Sequence, residues 1–407
     1  MLAHLAVFFP LPLTDRGPAY TCGMIARGMA CSALSVKIVT PRARRLPVSP
    51  ATVKQALPGW ARYLPYKWVR SRANAEIEEA FLSQAKDSPA VPRAAYIWPD
   101  ASLASILKLK RANITIFREM INCHRRTAKT VLDDAYQRIG SAPKHGITES
   151  SAISEQEALE AVDYIFCANE MVEKSLLENN IPRAKLIPAS YGWEPARLGG
   201  YARLLAPDSG TTLVFAGTIC VRKGCHLLLD YWARSNVKGR LILAGQMEDT
   251  IKKRYASLLQ RPDIVVLDFV PDIASLYRSA DIFVLPTLEE GGPQVTYEAC
   301  GCALPVITTP MGAGRIVRHG QEGFVLDPYD AVAWIDAIRN LAEDRERRIN
   351  MGLSASERAK SFHWNSVAVA RRQQILNRLA NGSSAEAASL PSGIGTRGGA
   401  PMDQGVP

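Results

Sequence analysis

Two glutamates eight positions apart, Glu290 and Glu298, flank the run Gly291-Gly292-Pro293-Gln294-Val295-Thr296-Tyr297. An apolar run, Ile282–Pro286, leads in, and a second, Leu304–Thr309, leads out. The pattern predicts strand, Gly-rich loop, short helix, strand. Such a unit sets a helix N-terminus and two carboxylates at one end of a parallel sheet, where open α/β folds bind ligands. Pro293 suits the first turn of a helix, where a missing N–H costs nothing. Gly301 suits its end. The N–H groups around Gly292–Val295 then form a phosphate-binding terminus, unless the loop is only a tight turn with a capping glutamate. A second segment, Phe215-Ala216-Gly217-Thr218-Ile219-Cys220-Val221-Arg222-Lys223-Gly224, also follows a strand and precedes a helical pattern. Its spacing is not that of a P-loop. It sets Arg222 and Lys223 at a strand end, where two cations suit a diphosphate; a solvated basic turn is the competing reading.

The elements that position these groups follow from the apolar rhythm. In the first half, strands are predicted at Leu5–Phe9, Val36–Thr40, Ala95–Trp98, Ile114–Phe117, Tyr164–Cys167 and Lys185–Pro188, with helical stretches between. The rhythm breaks at Tyr191–Gly200 and restarts with Leu213–Ala216, Arg240–Ala244, Ile264–Leu267, Ile282–Leu285, Val306–Thr309 and Phe324–Leu326. Alternation of this kind implies an α/β chain with doubly wound parallel sheets. The 407 residues allow two such domains. The boundaries read as 1–193, 194–360, a returning helix at 361–380, and a disordered tail at 381–407, rich in Gly, Ser, Ala and Pro.

These motifs together resemble the family-4, group 1 retaining glycosyltransferases. That family carries a Gly-x5-Lys-Gly segment, matched by Gly217 to Lys223-Gly224. It carries Glu-x7-Glu followed by Ala, matched by Glu290-x7-Glu298-Ala299, and a later Pro-Val-Ile strand, here Pro305-Val306-Ile307. Leu276-Tyr277-Arg278-Ser279-Ala280-Asp281 and Gly320-Gln321-Glu322-Gly323 are also similar to it. The likeness is close from Tyr164 to Leu326 and weaker before. It implies the GT-B architecture, two Rossmann-like domains with a cleft between them. It implies a hexosyltransferase using a nucleotide-diphosphate sugar, without metal or other cofactor. Glu290 would bind donor-sugar hydroxyls, Glu298 the ribose diol, and Lys223 with Arg222 the departing diphosphate. Gly217, Thr218, Gly291, Gly292, Gln294 and Val295 would line the phosphate and nucleotide site. Thr218 stands where the family often has Arg, Gly291-Gly292-Pro293 where it often has Gly-Phe-Gly, and Arg315 where it often has Glu.

The acceptor side is thinner. Gly17 stands where the family has a Gly-rich loop near the donor phosphates. The run Phe117–His124 follows a strand end, where the family often places a histidine; His124 or Glu119 could fill that role, and a structural histidine is equally compatible. Asp133-Asp134 lacks metal-ligand spacing and reads as a solvated helix face. Leu57–Arg72 alternates aromatic and basic residues without acids. It suits a membrane interface or a lipid-linked acceptor, or else a partly packed loop, with Pro58 and Pro65 breaking any long amphipathic helix.

Charge supports an anionic partner. The net charge is +10; residues 1–130 hold 20 Lys and Arg against 7 Asp and Glu, a net of +13, so the remainder sums to −3. Peripheral contact with the inner face of an anionic membrane fits. Nucleic acid is not expected, since no recognition motif accompanies the charge. Eight scattered cysteines without a C-x-x-C pair suit free thiols in a cytoplasmic protein, and the apolar N-terminus reads as a strand. The rival readings are a noncatalytic nucleotide-sugar-binding subunit and a sugar epimerase on the same fold. A dehydrogenase is disfavoured because no G-x-G-x-x-G follows the first strand.

Overall fold

The computed structural model describes residues 2–44, 46–87, 92–99, 101–200, 202–207 and 210–388. Two parallel sheets organise it. The first contains β1 (Ala3–Phe8), β2 (Leu34–Thr40), β3 (Thr52–Gln55), β4 (Arg93–Ile97), β5 (Thr115–Met120), β6 (Tyr164–Cys167) and β7 (Leu186–Pro188), in the order β3-β2-β1-β4-β5-β6-β7. The second contains β8 (Thr211–Ala216), β9 (Gly239–Ala244), β10 (Ile264–Leu267), β11 (Ile282–Leu285), β12 (Val306–Thr308) and β13 (Gly323–Val325), in the order β10-β9-β8-β11-β12-β13. Each order reverses beside its first strand, so each sheet has a switch point, between β1 and β4 and between β8 and β11. Helices cover both faces, which is why β1, β8 and β11 are buried at every position and read as continuous apolar runs. The expected doubly wound α/β class is what the chain adopts.

β3 was not expected. Its sequence, Thr-Val-Lys-Gln, has one apolar residue and sits half-exposed at the sheet edge, where burial leaves no hydrophobic signature. Pro58 and Pro65 interrupt the segment as expected, since no helix crosses either. Each is an N-cap, the first of the 3-10 turn Gly59–Tyr63 and the second of the 21-residue helix Tyr66–Lys86. A proline before a helix loses no hydrogen bond.

The chain passes between the sheets twice, and the two passages touch. The Trp193 N–H donates to Phe362 O at 3.1 Å and the Trp364 N–H to Trp193 O at 3.1 Å. The last helix, Trp364–Ala388, then lies along the first, Gly17–Met29. It continues past Asn381, contrary to the tail expected there; the good helix formers Ala385–Ala388 extend it. The rest of that tail, 389–407, lies outside the described residues.

Candidate active site

β8 and β11 are hydrogen-bonded neighbours, so the loops leaving their C-terminal ends emerge side by side. Those loops are stitched together: the Leu288 N–H donates to Arg222 O at 2.9 Å, and the Thr287 hydroxyl to the same oxygen at 3.4 Å. The stitch brings cations and carboxylates face to face. Lys223 Nζ pairs with Glu290 Oε1. Arg222 Nη1 lies 3.6 Å from Glu290 and 3.4 Å from Glu289. Burial, with Arg222 adding to it, pushes the Lys223 ammonium down to about 7, because the charged form is the one that loses hydration.

The helix Gln294–Gly301 begins at the end of the Glu290 loop, with Pro293 at the N-cap, one position earlier than expected. The Thr296 N–H donates back to Pro293 O at 2.9 Å, and the first-turn residues Gln294 and Val295 line the same cavity as the two cations. Glu298 lies one turn in. Its carboxylate accepts from Gln294 Nε2 at 2.8 Å and from the Tyr277 hydroxyl at 3.3 Å, and burial raises its pKa. Gln294 Oε1 in turn accepts from the Thr21 hydroxyl of the first half at 3.1 Å. A cavity of about 620 Å³ lies between the halves. Gly217, Thr218, Arg222, Lys223, Glu290, Gly292, Gln294, Val295 and Glu298 line it from the second sheet, and Gly17 from the first. Gly291, expected in the site, does not line this cavity; a Cβ there would come within 2.1 Å of Ile121 C, and one on Gly292 would meet the Tyr191 ring at 2.5 Å. Both glycines are there because another backbone or ring is too close for a side chain.

Residues 210–344 match the family described as glycosyl transferases group 1. That stretch is similar to a group 1 glycosyltransferase domain. The D-inositol 3-phosphate glycosyltransferase of Pseudarthrobacter chlorophenolicus is 32% identical over 174 residues, 40% of this chain and 41% of that one. The capsular polysaccharide biosynthesis glycosyltransferase CapM of Staphylococcus aureus is 31% identical over 168 residues, 40% of this chain and 44% of that one. The aligned part therefore spans less than half of either relative. Among solved structures, sucrose-phosphate synthase from Thermosynechococcus elongatus superposes with a TM-score of 0.70 at 17% identity, covering 93% of this chain and 99% of that one. Anabaena HepE in complex with UDP and glucose gives 0.63 at 14% identity, covering 93% and 99%. The fold shared with these structures is GT-B.

Sequence reasoning missed the residue that joins the second half to the first. Glu289 is 2% exposed; its carboxylate accepts from the Asn122 amide at 3.0 and 2.8 Å and from the Cys123 N–H at 2.9 Å. Its only signal was adjacency to Glu290, and nothing local marks a partner 167 positions away. A second cavity of about 790 Å³ opens on the far side of this contact, and Asn122, Thr218, Arg222 and Gln246 line both. Arg197 and Phe269, also missed, line the 620 Å³ cavity.

Besides Gly291, two expected site residues do not line either cavity. Glu119 is fully buried and ion-paired with Arg371 of the last helix, and it accepts from the Tyr96 hydroxyl. It fastens the returning helix to β5 and has no route to substrate. His124 is the N-cap of the helix Arg125–Arg138, its Nδ1 accepting from the Arg126 N–H at 3.2 Å and its Nε2 lying 2.8 Å from Gln156 Oε1. Both ring nitrogens are engaged, and burial lowers its pKa. Arg315, which stands where the family often has Glu, reaches the first half. It pairs with Glu173, lies 3.4 Å from Glu170, and donates to Ala189 O at 2.7 Å. Asp133 and Asp134 sit on the helix Arg125–Arg138, taken up by Lys129, His145 and Arg138.

Proposed function

We propose that the protein is a metal-independent, retaining glycosyltransferase that moves a hexose from a nucleotide-diphosphate sugar to a hydroxyl acceptor. The observation that carries this reading is the Lys223–Glu290 pair, set with Arg222, Glu298 and a helix N-terminus around one 620 Å³ cleft. Breaking a glycosyl-phosphate bond leaves positive charge on the sugar and negative charge on the diphosphate. Lys223, Arg222 and the N–H groups of Gln294 and Val295 are fixed where the second charge develops, which is the efficient way to stabilise it. These groups supply the charge that a divalent cation would otherwise bring. Glu290 then exchanges Lys223 for the sugar hydroxyls, fixing the reacting carbon, and Glu298 takes the ribose diol.

In this reading the bond from C1 to the phosphate oxygen breaks with its electron pair leaving on the diphosphate. The acceptor oxygen bonds to C1 on the same face and gives its proton to that leaving oxygen. No protein nucleophile is required, and the glutamates position rather than exchange protons, unlike a glycosidase pair. HepE was solved with UDP and with UDP-glucose, so uridine donors are the first to test here. The acceptor is a glycan, a lipid-linked compound or a small molecule, and the basic first half suits peripheral contact with an anionic membrane.

The test is a thermal-shift panel of UDP-, GDP- and ADP-sugars with and without EDTA. A ligand at a hundred times its dissociation constant adds about 2.7 kcal/mol, roughly 5–11 °C for domains of this size. A selective shift that EDTA leaves intact supports the reading; no shift with any nucleotide sugar ends it. Product anomer configuration, read by NMR, decides retention.

A further inference from the structure

From Arg16 to Ala75 the chain holds eleven Lys and Arg and not one Asp or Glu. Within it lie three of the four aromatic side chains that are more than half exposed among the described residues: Trp60 at 61%, Tyr63 at 85% and Trp68 at 70%. The fourth, Phe269, lines the donor cleft. Water does not favour three large rings presented within nine residues. Nor are they loose. Leu57, Ala61, Val69 and Ala73 bury beneath them as a small core of their own. The Arg42 guanidinium donates to Arg62 O at 3.0 Å and Leu64 O at 2.7 Å, pinning the turn, and the Tyr66 hydroxyl donates to Pro10 O at 3.1 Å. The segment has a fixed shape that turns its rings outward, with Lys67, Arg70 and Arg72 exposed beside them. The Arg72 guanidinium lies 5.4 Å above the Trp60 ring.

A second observation ties this face to the chemistry. Beneath it runs a groove of about 190 Å³ lined by Phe9, Pro10, Leu11, Tyr66, Ile77 and Trp98. Pro18 and Ile121 line both this groove and the donor cleft. A path with one apolar wall, and with Arg70, Asn74 and Glu78 also on its lining, therefore leads from beside the exposed rings to the wall of the site that holds Glu290.

We infer that this face docks on an anionic lipid surface and that the acceptor is a lipid-linked hydroxyl compound whose first apolar carbons lie in the groove. An excess of cations, of which Arg72 is paired with Glu76, matches a negative leaflet, and aromatic rings settle at the boundary between headgroups and chains. A purely electrostatic partner would leave the rings without a role, and a purely apolar one would leave the cations without one. The acceptor assignment rests on the transferase reading; the docking does not.

The experiment sediments the full chain with phosphatidylglycerol or phosphatidylcholine vesicles, at about 0.01 M and about 1 M salt, where the screening length falls from roughly 30 to 3 Å. Binding to phosphatidylglycerol alone, lost at high salt, is expected. Vesicles with brominated acyl chains should quench tryptophan fluorescence. The triple variant Trp60→Ser, Tyr63→Ser, Trp68→Ser should bind the vesicles roughly tenfold more weakly while keeping its UDP thermal shift, which also shows that it folds. No sedimentation at low salt, or a triple variant that sediments like the wild type, overturns the docking. With labelled nucleotide sugars and a bacterial lipid extract, label should pass into the organic phase; label found only in water-soluble product overturns the lipid-linked acceptor. A chain that sediments yet shows no nucleotide-sugar shift keeps the docking and loses the transferase reading.

Discussion

Asn122 and Glu289 close the cleft from opposite sides: one amide nitrogen from the end of β5 donates to both oxygens of a carboxylate at the end of β11. The contact lies where the two cavities meet, with Arg222 3.4 Å from the same carboxylate. It holds the two halves together at the point where donor and acceptor must meet, so Glu289 is a positioning residue in this reading.

Asn122→Ala should therefore loosen the closed form without touching the donor groups. A hydrogen bond to a charged group contributes about 1.5–3 kcal/mol, so kcat/KM should fall by roughly ten- to a hundredfold, with KM for the acceptor rising more than UDP affinity changes. Small-angle scattering should show a larger radius of gyration without ligand. An unchanged radius together with unchanged kinetics would remove the clasp from the mechanism.

Much of this arrangement was legible in the sequence, and the boundary has a physical cause. Strands such as Leu213–Ala216 and Ile282–Leu285 were visible because burial on both faces makes them continuously apolar. Gly217, Lys223, Glu290 and Glu298 were visible because each loop places its chemistry within a few residues of a strand end. The edge strand Thr52–Gln55 left no apolar trace. Glu119 and His124 could not be placed from the sequence because a polar residue after a strand can face the cleft or the covering helices, and only tertiary contact decides. Arg371, 252 positions from Glu119, and Asn122, far from Glu289, carry no local mark of their partners.

Glu290→Gln should cost turnover about a hundredfold, the scale of a misplaced reacting centre, while its effect on stability depends on pH. The buried Lys223 titrates at about 7, below its ordinary value. A lowered lysine pKa means that stability rises with pH between the folded and unfolded values, because the unfolded chain binds more protons there. Removing the Glu290 charge lowers the folded value further. Wild type stops losing stability below pH 7, whereas the variant continues to lose it. Urea midpoints should nearly coincide at pH 8 and separate at pH 6; equal separation at both would contradict the pairing.

Diphosphate binding should take up a proton at alkaline pH. At pH 8 Lys223 is mostly neutral without ligand, and a diphosphate beside it favours the charged form. Calorimetric titration with UDP in two buffers of different ionisation enthalpy should then show uptake approaching one proton at pH 8 and little at pH 6. Lys223→Met should abolish the difference and weaken UDP binding. An enthalpy at pH 8 independent of buffer would mean that Lys223 does not meet the phosphates.

The buried Glu119–Arg371 pair should behave as structure, not as catalysis. Arg371→Ala strands the Glu119 carboxylate, which Tyr96 alone cannot satisfy, and breaking a buried pair from one side costs about 3–5 kcal/mol. The double variant Glu119→Gln, Arg371→Met removes both charges and should recover most of that loss. Because the Arg371 guanidinium also donates to Ser190 O at 3.0 Å, the last helix is fastened to the segment that leads into the second half, so the single variant should unfold at lower urea while its folded fraction still turns over donor. If the double variant proved stable but inactive, with UDP binding intact, Glu119 would return to the reaction despite its burial.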